Sequence, residues 1–110
     1  MKKVLAPALA VVVAVGTAGL LESAQARKLL VIGGGAETGV YYQVAVNVCK
    51  LVNEKLGGQG YDCKGQPALG SVVNIKAMSQ GYLDFAVVQS DHNGQAYNGE
   101  ENWKGKPVKA

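Results

Sequence analysis

The sequence has few of the residues that metal centres and hydrolases require. It contains one histidine, His92, and two cysteines, Cys49 and Cys63. Structural zinc sites use four such ligands at characteristic spacing, and neither a second cysteine pair nor a histidine close to these two is present. His92 directly follows Asp91, and adjacent residues at a helix start point in different directions, so they do not form a catalytic relay for Ser90. The G-x-S-x-G motif of many hydrolases is also absent. We therefore expect neither a metal site nor an enzyme.

The glycine-rich segment that begins at Gly33 lacks the motifs of nucleotide-binding proteins. In the dinucleotide pattern G-x-G-x-x-G, the position of the third glycine holds Thr38. Gly34 and Gly39 fit the spacing of a phosphate-binding loop, but Val40 stands where that loop needs a lysine. Without the lysine, the positive charge that holds the terminal phosphates is missing. We therefore expect no nucleotide, and no other cofactor is indicated.

Clustered positive charge is also scarce. Charged residues make up 17% of the chain, which carries a net charge of +3. The basic residues are scattered, apart from Lys104, Lys106 and Lys109 near the end, which we interpret as a solvated tail. Because nucleic-acid binding requires basic residues grouped on one surface, we expect no nucleic-acid partner.

The first 26 residues have the three-part organisation of a signal peptide. Lys2 and Lys3 form a basic region, an apolar stretch covers residues 4–21, and Ala24-Gln25-Ala26 supplies the small-x-small cleavage pattern. A retained membrane anchor is the alternative, because an apolar stretch of this length almost spans a bilayer, but the cleavage pattern follows it at once. We predict cleavage after Ala26, export to the periplasm, and a mature chain that does not span the membrane.

The two cysteines remain in the mature chain. In an oxidising compartment an even number of cysteines suggests a disulfide, so we expect a bond between Cys49 and Cys63. Such a bond would stabilise the domain by about 3 kcal/mol. A metal site is the alternative, and the lack of further ligands disfavours it.

Hydrophobic patterning predicts three strands. Short apolar runs at residues 29–32 and 85–88 are typical of strands that are buried in a parallel sheet. Residues 61–64 form a more polar strand candidate.

Three helices are predicted between and after these strands. Apolar residues recur at helical spacing over residues 41–56. A second helix begins with Ser71 as its expected N-cap and ends at Gly81, and a third is capped by Asp91 and extends to Tyr97. The resulting order, β-α-β-α-β-α, implies right-handed crossovers and an α/β fold with a mostly parallel sheet.

The segments that follow the three strands should meet at one edge of this sheet. Ligands of open parallel sheets bind beyond the carboxyl ends of the strands. There, helix N-termini present free N–H groups that suit a carboxylate or a phosphate. The alternative is that Ser71 and Asp91 only cap helices while the tyrosines pack on the core. The candidate ligand-binding residues are Gly35, Thr38, Tyr41, Tyr42, Ser71, Gln89, Ser90 and Asp91.

Several motifs, taken in order, resemble the TAXI-type solute receptors of TRAP transporters. Residues 31–42 resemble the first strand, glycine loop and G-V-Y-Y segment of those receptors. Residues 70–75 resemble their G-S-V-x-N-I turn, residues 83–91 their third strand and Q-S-D, and residues 96–99 their A-Y-N-G. The resemblance covers nearly all of residues 29–107.

This resemblance implies part of one lobe of a two-lobed periplasmic binding protein. Such a receptor captures a small carboxylate, for example glutamate or a dicarboxylate, and delivers it to a TRAP membrane permease. Tyr41, Tyr42, Ser71 and residues 89–91 would face the ligand. Paired cysteines at the first helix and second strand also occur in such receptors.

The sequence departs from the family pattern in two places and in its length. Residues 67–69, Pro-Ala-Leu, stand where S-T-G is common, which removes two hydroxyl groups, and Gln43 replaces a common proline. Family members continue into a second lobe, and residues 101–110 offer no hydrophobic element that would close a domain. We therefore expect residues 27–110 to be the N-terminal part of lobe 1 of a truncated receptor. A small self-contained exported binding module is the alternative, and an exported hydrolase is a third possibility.

Overall fold

A computed structural model describes residues 26–109 of the protein. Residues 1–25, which hold nearly all of the predicted signal peptide, lie outside the described residues. Within the described range, three strands alternate with three helices in the predicted order. No helix between residues 26 and 109 combines the length and the apolar character needed to cross a membrane.

The three strands form one parallel sheet in the order β2-β1-β3. Strand β1 is Lys28–Gly33, β2 is Tyr61–Gln66 and β3 is Phe85–Ala86. β1 pairs with β2 along its whole length, but it pairs with β3 at two residues only. The Val87 N–H still donates to the Gly33 carbonyl at 2.8 Å, and there the ladder ends, so the third strand is shorter than the apolar run at residues 85–88 predicts. The α/β prediction with a parallel sheet is confirmed.

The helices are α1, Val40–Leu56, α2, Ser71–Ser79, and α3, Ser90–Asn98. The chain moves outward from β1 to β2 and then returns past β1 to β3. Right-handed crossovers in opposite directions place α1 and α2 on opposite faces of the sheet. Side-chain packing agrees, because Ile32 clusters with residues of α1, whereas the next residue, Gly33, lies against Asn74 of α2.

The two predicted helix caps are wrong. Gly70 is the N-cap of α2, with φ of 101°, a conformation that favours glycine over any residue with a Cβ atom. Ser71 is therefore the first helical residue, and its hydroxyl group is used elsewhere. Gln89 is the N-cap of α3, so Asp91 lies within the first turn and accepts a bond from the neighbouring His92 N–H at 2.8 Å.

The first hydrophobic cluster lies between the sheet and α1. It contains Ile32, Ala45, Cys49 and Cys63, and the two cysteines form a disulfide with Cα atoms 4.9 Å apart. The bond predicted from the cysteine count is therefore present, and it ties α1 to β2.

The second cluster lies on the other face, where α2 and α3 pack together. It contains Ile75, Ala96 and Trp103, and the tryptophan is only 4% exposed. A 3₁₀-helix, Glu101–Trp103, brings this side chain back over the helices. Trp103 is thus a buried hydrophobic residue that the sequence pattern of residues 101–110 did not reveal.

The last described residues also return to α3. The Val108 N–H donates to the Ala96 carbonyl at 2.8 Å, and Lys109 Nζ lies 3.7 Å from the centroid of the Tyr97 ring. Lys104 and Lys106 are exposed. Lys109 is exposed as well, so the prediction that these three lysines are solvated is correct, although the Val108 bond attaches this segment to α3.

Part of the apolar face predicted for residues 41–56 is uncovered. Ala45 and Cys49 are buried, but Val44 and Val48 are each 41% exposed. The reason is positional, since α1 packs over β1 and β2 while no described helix covers the same face of β3, where Phe85 is 55% exposed.

Candidate functional site

The loops that follow the three strands meet at the carboxyl edge of the sheet. The Gly34 N–H donates to the Gln66 carbonyl at 2.8 Å, and the Ala68 N–H donates to the Gly35 carbonyl at 2.9 Å. These bonds join the loop after β1 to the loop after β2. The strand order reverses at β1, so the loop after β1 leads to α1 on one face and the loop after β3 leads to α3 on the other. We call the gap between those two loops the switch-point crevice; such gaps are the usual ligand sites of open α/β sheets.

Two glycines at the end of β1 allow close packing. A Cβ atom on Gly33 would lie 2.5 Å from Leu83 Cδ1, and one on Gly34 would lie 2.5 Å from Tyr42 Cα. The second contact is with backbone, which cannot move aside as a side chain can. These glycines therefore allow the first turn of α1 to pack directly against the end of β1. The glycine-rich segment serves this packing although it lacks the motifs of nucleotide-binding proteins.

The helix termini at this edge carry little negative charge. The first turns of α1 and α2 contain no acidic residue, and no side chain caps the N-terminus of any of the three helices. The first N–H groups of an α-helix have no partner within the helix. The edge therefore presents several free donors beside positive dipole ends, which is favourable for an anion.

The predicted ligand-binding residues have different environments. Thr38, Gln89, Ser90 and Asp91 are exposed at the edge, and Gly35, Tyr41 and Tyr42 are half-buried. Ser71 is buried, and its Oγ accepts a bond from the Gln89 N–H at 2.9 Å. The fold thus brings all three predicted segments to one edge, while the Ser71 hydroxyl contacts protein backbone.

Residues 32–110 match the model of the NMT1-like family. The chain belongs to the NMT1-like family. It is a family of periplasmic binding proteins related to solute-binding receptors, which gives this chain a periplasmic solute-binding role. The parallel three-stranded sheet fits part of a binding-protein lobe, and the disulfide is consistent with an exported protein.

Sequence reasoning missed one residue at this edge of the sheet, Asn74. It is fully buried in the first turn of α2. Its Nδ2 atom donates to the Gly34 carbonyl at 2.6 Å and to the Val87 carbonyl at 3.0 Å. The available signal was an asparagine inside a helix, where this residue type is unfavourable unless its side chain has a partner outside the helix.

Two grooves of the NMT1-like domain lie away from the crevice. One, of about 750 Å³, runs between α1 and β2 beside Asn53 and Lys64. The other, of about 270 Å³, is apolar and lies between α1 and β3 beside Val48 and Phe85. Neither is lined by a predicted ligand-binding residue. Among residues 26–109, no group of three or more histidine, cysteine or acidic side chains is placed to hold a metal ion.

Proposed function

We propose that this NMT1-like protein is a TAXI-type receptor that captures a small carboxylate at the switch-point crevice and delivers it to the permease of a TRAP transporter. Family membership supports the periplasmic solute-binding role, and the motif order at residues 31–42, 70–75 and 83–91 supports the receptor type. In this proposal the protein binds and releases its ligand without catalysing a reaction.

The observation that carries the carboxylate proposal is the convergence of three helix N-termini at one edge. The first turns of α1 and α2 lack acidic residues, so no carboxylate in those turns competes with a bound anion. Carboxylates are stabilised at such termini by free N–H groups and by the helix dipole.

One acidic residue at the edge bears on the ligand class. Asp91 lies in the first turn of α3, and its side chain is 66% exposed. A carboxylate beside an anion site favours a ligand that carries a positive group next to its own carboxylate. We therefore favour an amino acid such as glutamate over a dicarboxylate.

The proposed receptor needs a second surface over the crevice. Periplasmic binding proteins close two lobes around the ligand. We infer that residues 27–110 form the N-terminal part of lobe 1 and that a second lobe supplies the opposing contacts.

Calorimetric titration of the mature protein, produced from its complete gene, tests the carboxylate proposal. We expect glutamate to bind, and 2-oxoglutarate, which has the same skeleton without the ammonium group, to bind with lower affinity. The neutral pentanediamide should not bind. No response to any member of a broad carboxylate panel would overturn the proposal.

Two further experiments test export and delivery. Mass spectrometry of the periplasmic protein should find Arg27 at the mature N-terminus, and an uncleaved chain in the membrane fraction would contradict this. Proteoliposomes that contain the cognate permease should take up labelled ligand only when the receptor is added. Uptake that is equal without the receptor would rule out the delivery role.

A further inference from the structure

The Asn74 side chain lies between the ends of the two strands that border the crevice. Its two amide hydrogens match two carbonyl acceptors, Gly34 O after β1 and Val87 O after β3, at 2.6 and 3.0 Å. Both carbonyls lie at or beyond the last ladder pair, Gly33 with Ala86. One side chain on α2 therefore joins the two chain segments where their strand pairing stops.

The donor orientation of this amide follows from its neighbours. A flipped side chain would place Oδ1 against two carbonyl oxygens, which repel it. In the present orientation Oδ1 is buried without a hydrogen-bond partner among the described residues. A buried acceptor without a partner lowers the stability of the protein. The two bonds that Nδ2 donates offset this loss.

Ser71 provides a second attachment from the same helix. It lies three residues before Asn74 and so faces the same side of α2. Its Oγ accepts a bond from the Gln89 N–H at 2.9 Å. The first turn of α2 thus holds the loop after β3 on both sides of Val88, through the Val87 carbonyl and the Gln89 N–H.

We propose that Asn74, assisted by Ser71, is a positioning residue that holds the loops after β1 and β3 at a fixed separation, and with them the N-termini of α1 and α3 that face the ligand. The effect on ligand binding rests on the proposed function. The effect on the two loops does not.

The test compares Asn74→Asp, which keeps the side-chain shape but loses the amide donors, with Asn102→Asp, an equal charge change at an exposed position. Hydrogen exchange is measured on the full chain. In the Asn74 variant, the Val87 and Gln89 amides should exchange at least about tenfold faster, the equivalent of one lost buried hydrogen bond. Amides in the middle of α1 should keep their protection. A uniform rise across α1 and β1, or no change at Val87 and Gln89, would overturn the proposal.

Ligand titration supplies the second readout. Asn74→Asp should weaken glutamate binding by about tenfold or more, the effect of one lost buried hydrogen bond, whereas Asn102→Asp should leave it within about twofold. Faster loop exchange with unchanged affinity would refute the link to the ligand. If the unmodified protein binds no carboxylate at all, the proposed function fails, and the exchange data still decide the positioning role.

Two measurements apply if Asn74→Asp does not fold. In the unmodified protein, the Asn74 side-chain amide protons should exchange much more slowly than those of the exposed Asn102, and equally fast exchange would contradict the two bonds. Ser71→Ala removes the hydroxyl group that accepts from the Gln89 N–H and adds no charge. This variant should speed exchange at Gln89 while α1 is unaffected, and an unchanged Gln89 amide would refute the second attachment.

Discussion

The side chain of Asn53 pairs with both backbone groups of Cys63. The Cys63 N–H donates to Asn53 Oδ1 at 2.7 Å, and Asn53 Nδ2 donates to the Cys63 carbonyl at 3.0 Å. β2 is an edge strand of the described sheet, and these bonds imitate the pairing that another strand would make. An edge whose backbone groups are occupied is a poor template for association with another chain.

Replacing Asn53 by alanine should therefore destabilise the protein. Two part-buried backbone groups would lose their partners, so we expect the free energy of unfolding to fall by about 1–3 kcal/mol. Denaturant unfolding under oxidising conditions measures this change. Asn47→Ala is the control, because that side chain is exposed and donates only to the Gln43 carbonyl within α1. Equal losses in the two variants would contradict the role of Asn53.

The disulfide should stabilise the protein independently of the Asn53 hydrogen bonds. Its loop spans a sequence separation of 14 residues, so the Cys49→Ala/Cys63→Ala double variant should lose about 3 kcal/mol. Unfolding of the unmodified protein with and without reductant should show a similar loss, and reductant should not affect the double variant. A variant as stable as the oxidised protein would show that the bond does not constrain the chain.

Gly34 should not tolerate a side chain. A Cβ atom there would lie 2.5 Å from Tyr42 Cα and 2.9 Å from the Tyr41 carbonyl oxygen, so Gly34→Ala must push α1 away from β1. We expect a loss of about 1–3 kcal/mol in unfolding free energy, as for other overpacked sites. Gly58→Ala is the matched control, because nothing lies within 4 Å of its Cβ position. Similar stabilities of the two variants would show that the close approach is unnecessary.

Trp103 should be essential to the second hydrophobic cluster. Trp103→Ala should cost about 3–5 kcal/mol through lost burial and the cavity left behind. Tyr82→Ala removes an aromatic side chain that is 74% exposed and should change stability by about 0.5 kcal/mol or less. Far-UV circular dichroism follows both transitions, since the sequence contains a single tryptophan and fluorescence would be lost. A small effect at Trp103 would mean that residues 101–109 do not close this face.

Asp91 should decide between amino acid and dicarboxylate ligands. Asp91→Asn should weaken glutamate binding by about five- to tenfold, as expected for one charged hydrogen bond, while 2-oxoglutarate binding stays equal or improves. Calorimetry with both ligands measures the ratio. Glu100→Gln, an equal charge change at an exposed residue beyond α3, should leave the ratio unchanged. A parallel loss for both ligands would exclude a contact between Asp91 and the ammonium group.

The order of the elements and the disulfide were predictable because their causes are local. Apolar runs bounded by glycine predict strands such as Lys28–Gly33, and helical spacing predicts Val40–Leu56. Two cysteines in an exported chain leave one possible pairing. The convergence of three loops also followed from sequence, because the carboxyl ends of parallel strands share one edge.

The roles of individual polar residues depended on tertiary structure. Ser71 has the sequence context of a helix cap, but the positive φ of Gly70 moves the helix start by one residue and directs the hydroxyl to Gln89. Asn74 contacts Gly34, 40 residues earlier in the chain, a pairing that no local pattern encodes.

Burial was likewise decided by what packs against each face. The helical pattern over residues 41–56 includes Val44 and Val48 as well as Ala45 and Cys49, yet of these four only the last two are buried. Trp103 gave no periodic signal, but a short 3₁₀-helix folds it over α2 and α3. Sequence thus determined which segments form strands and helices and at which edge their loops meet. Tertiary structure decided which side chains are buried and which polar groups hold those loops, because both depend on contacts between residues far apart in the chain.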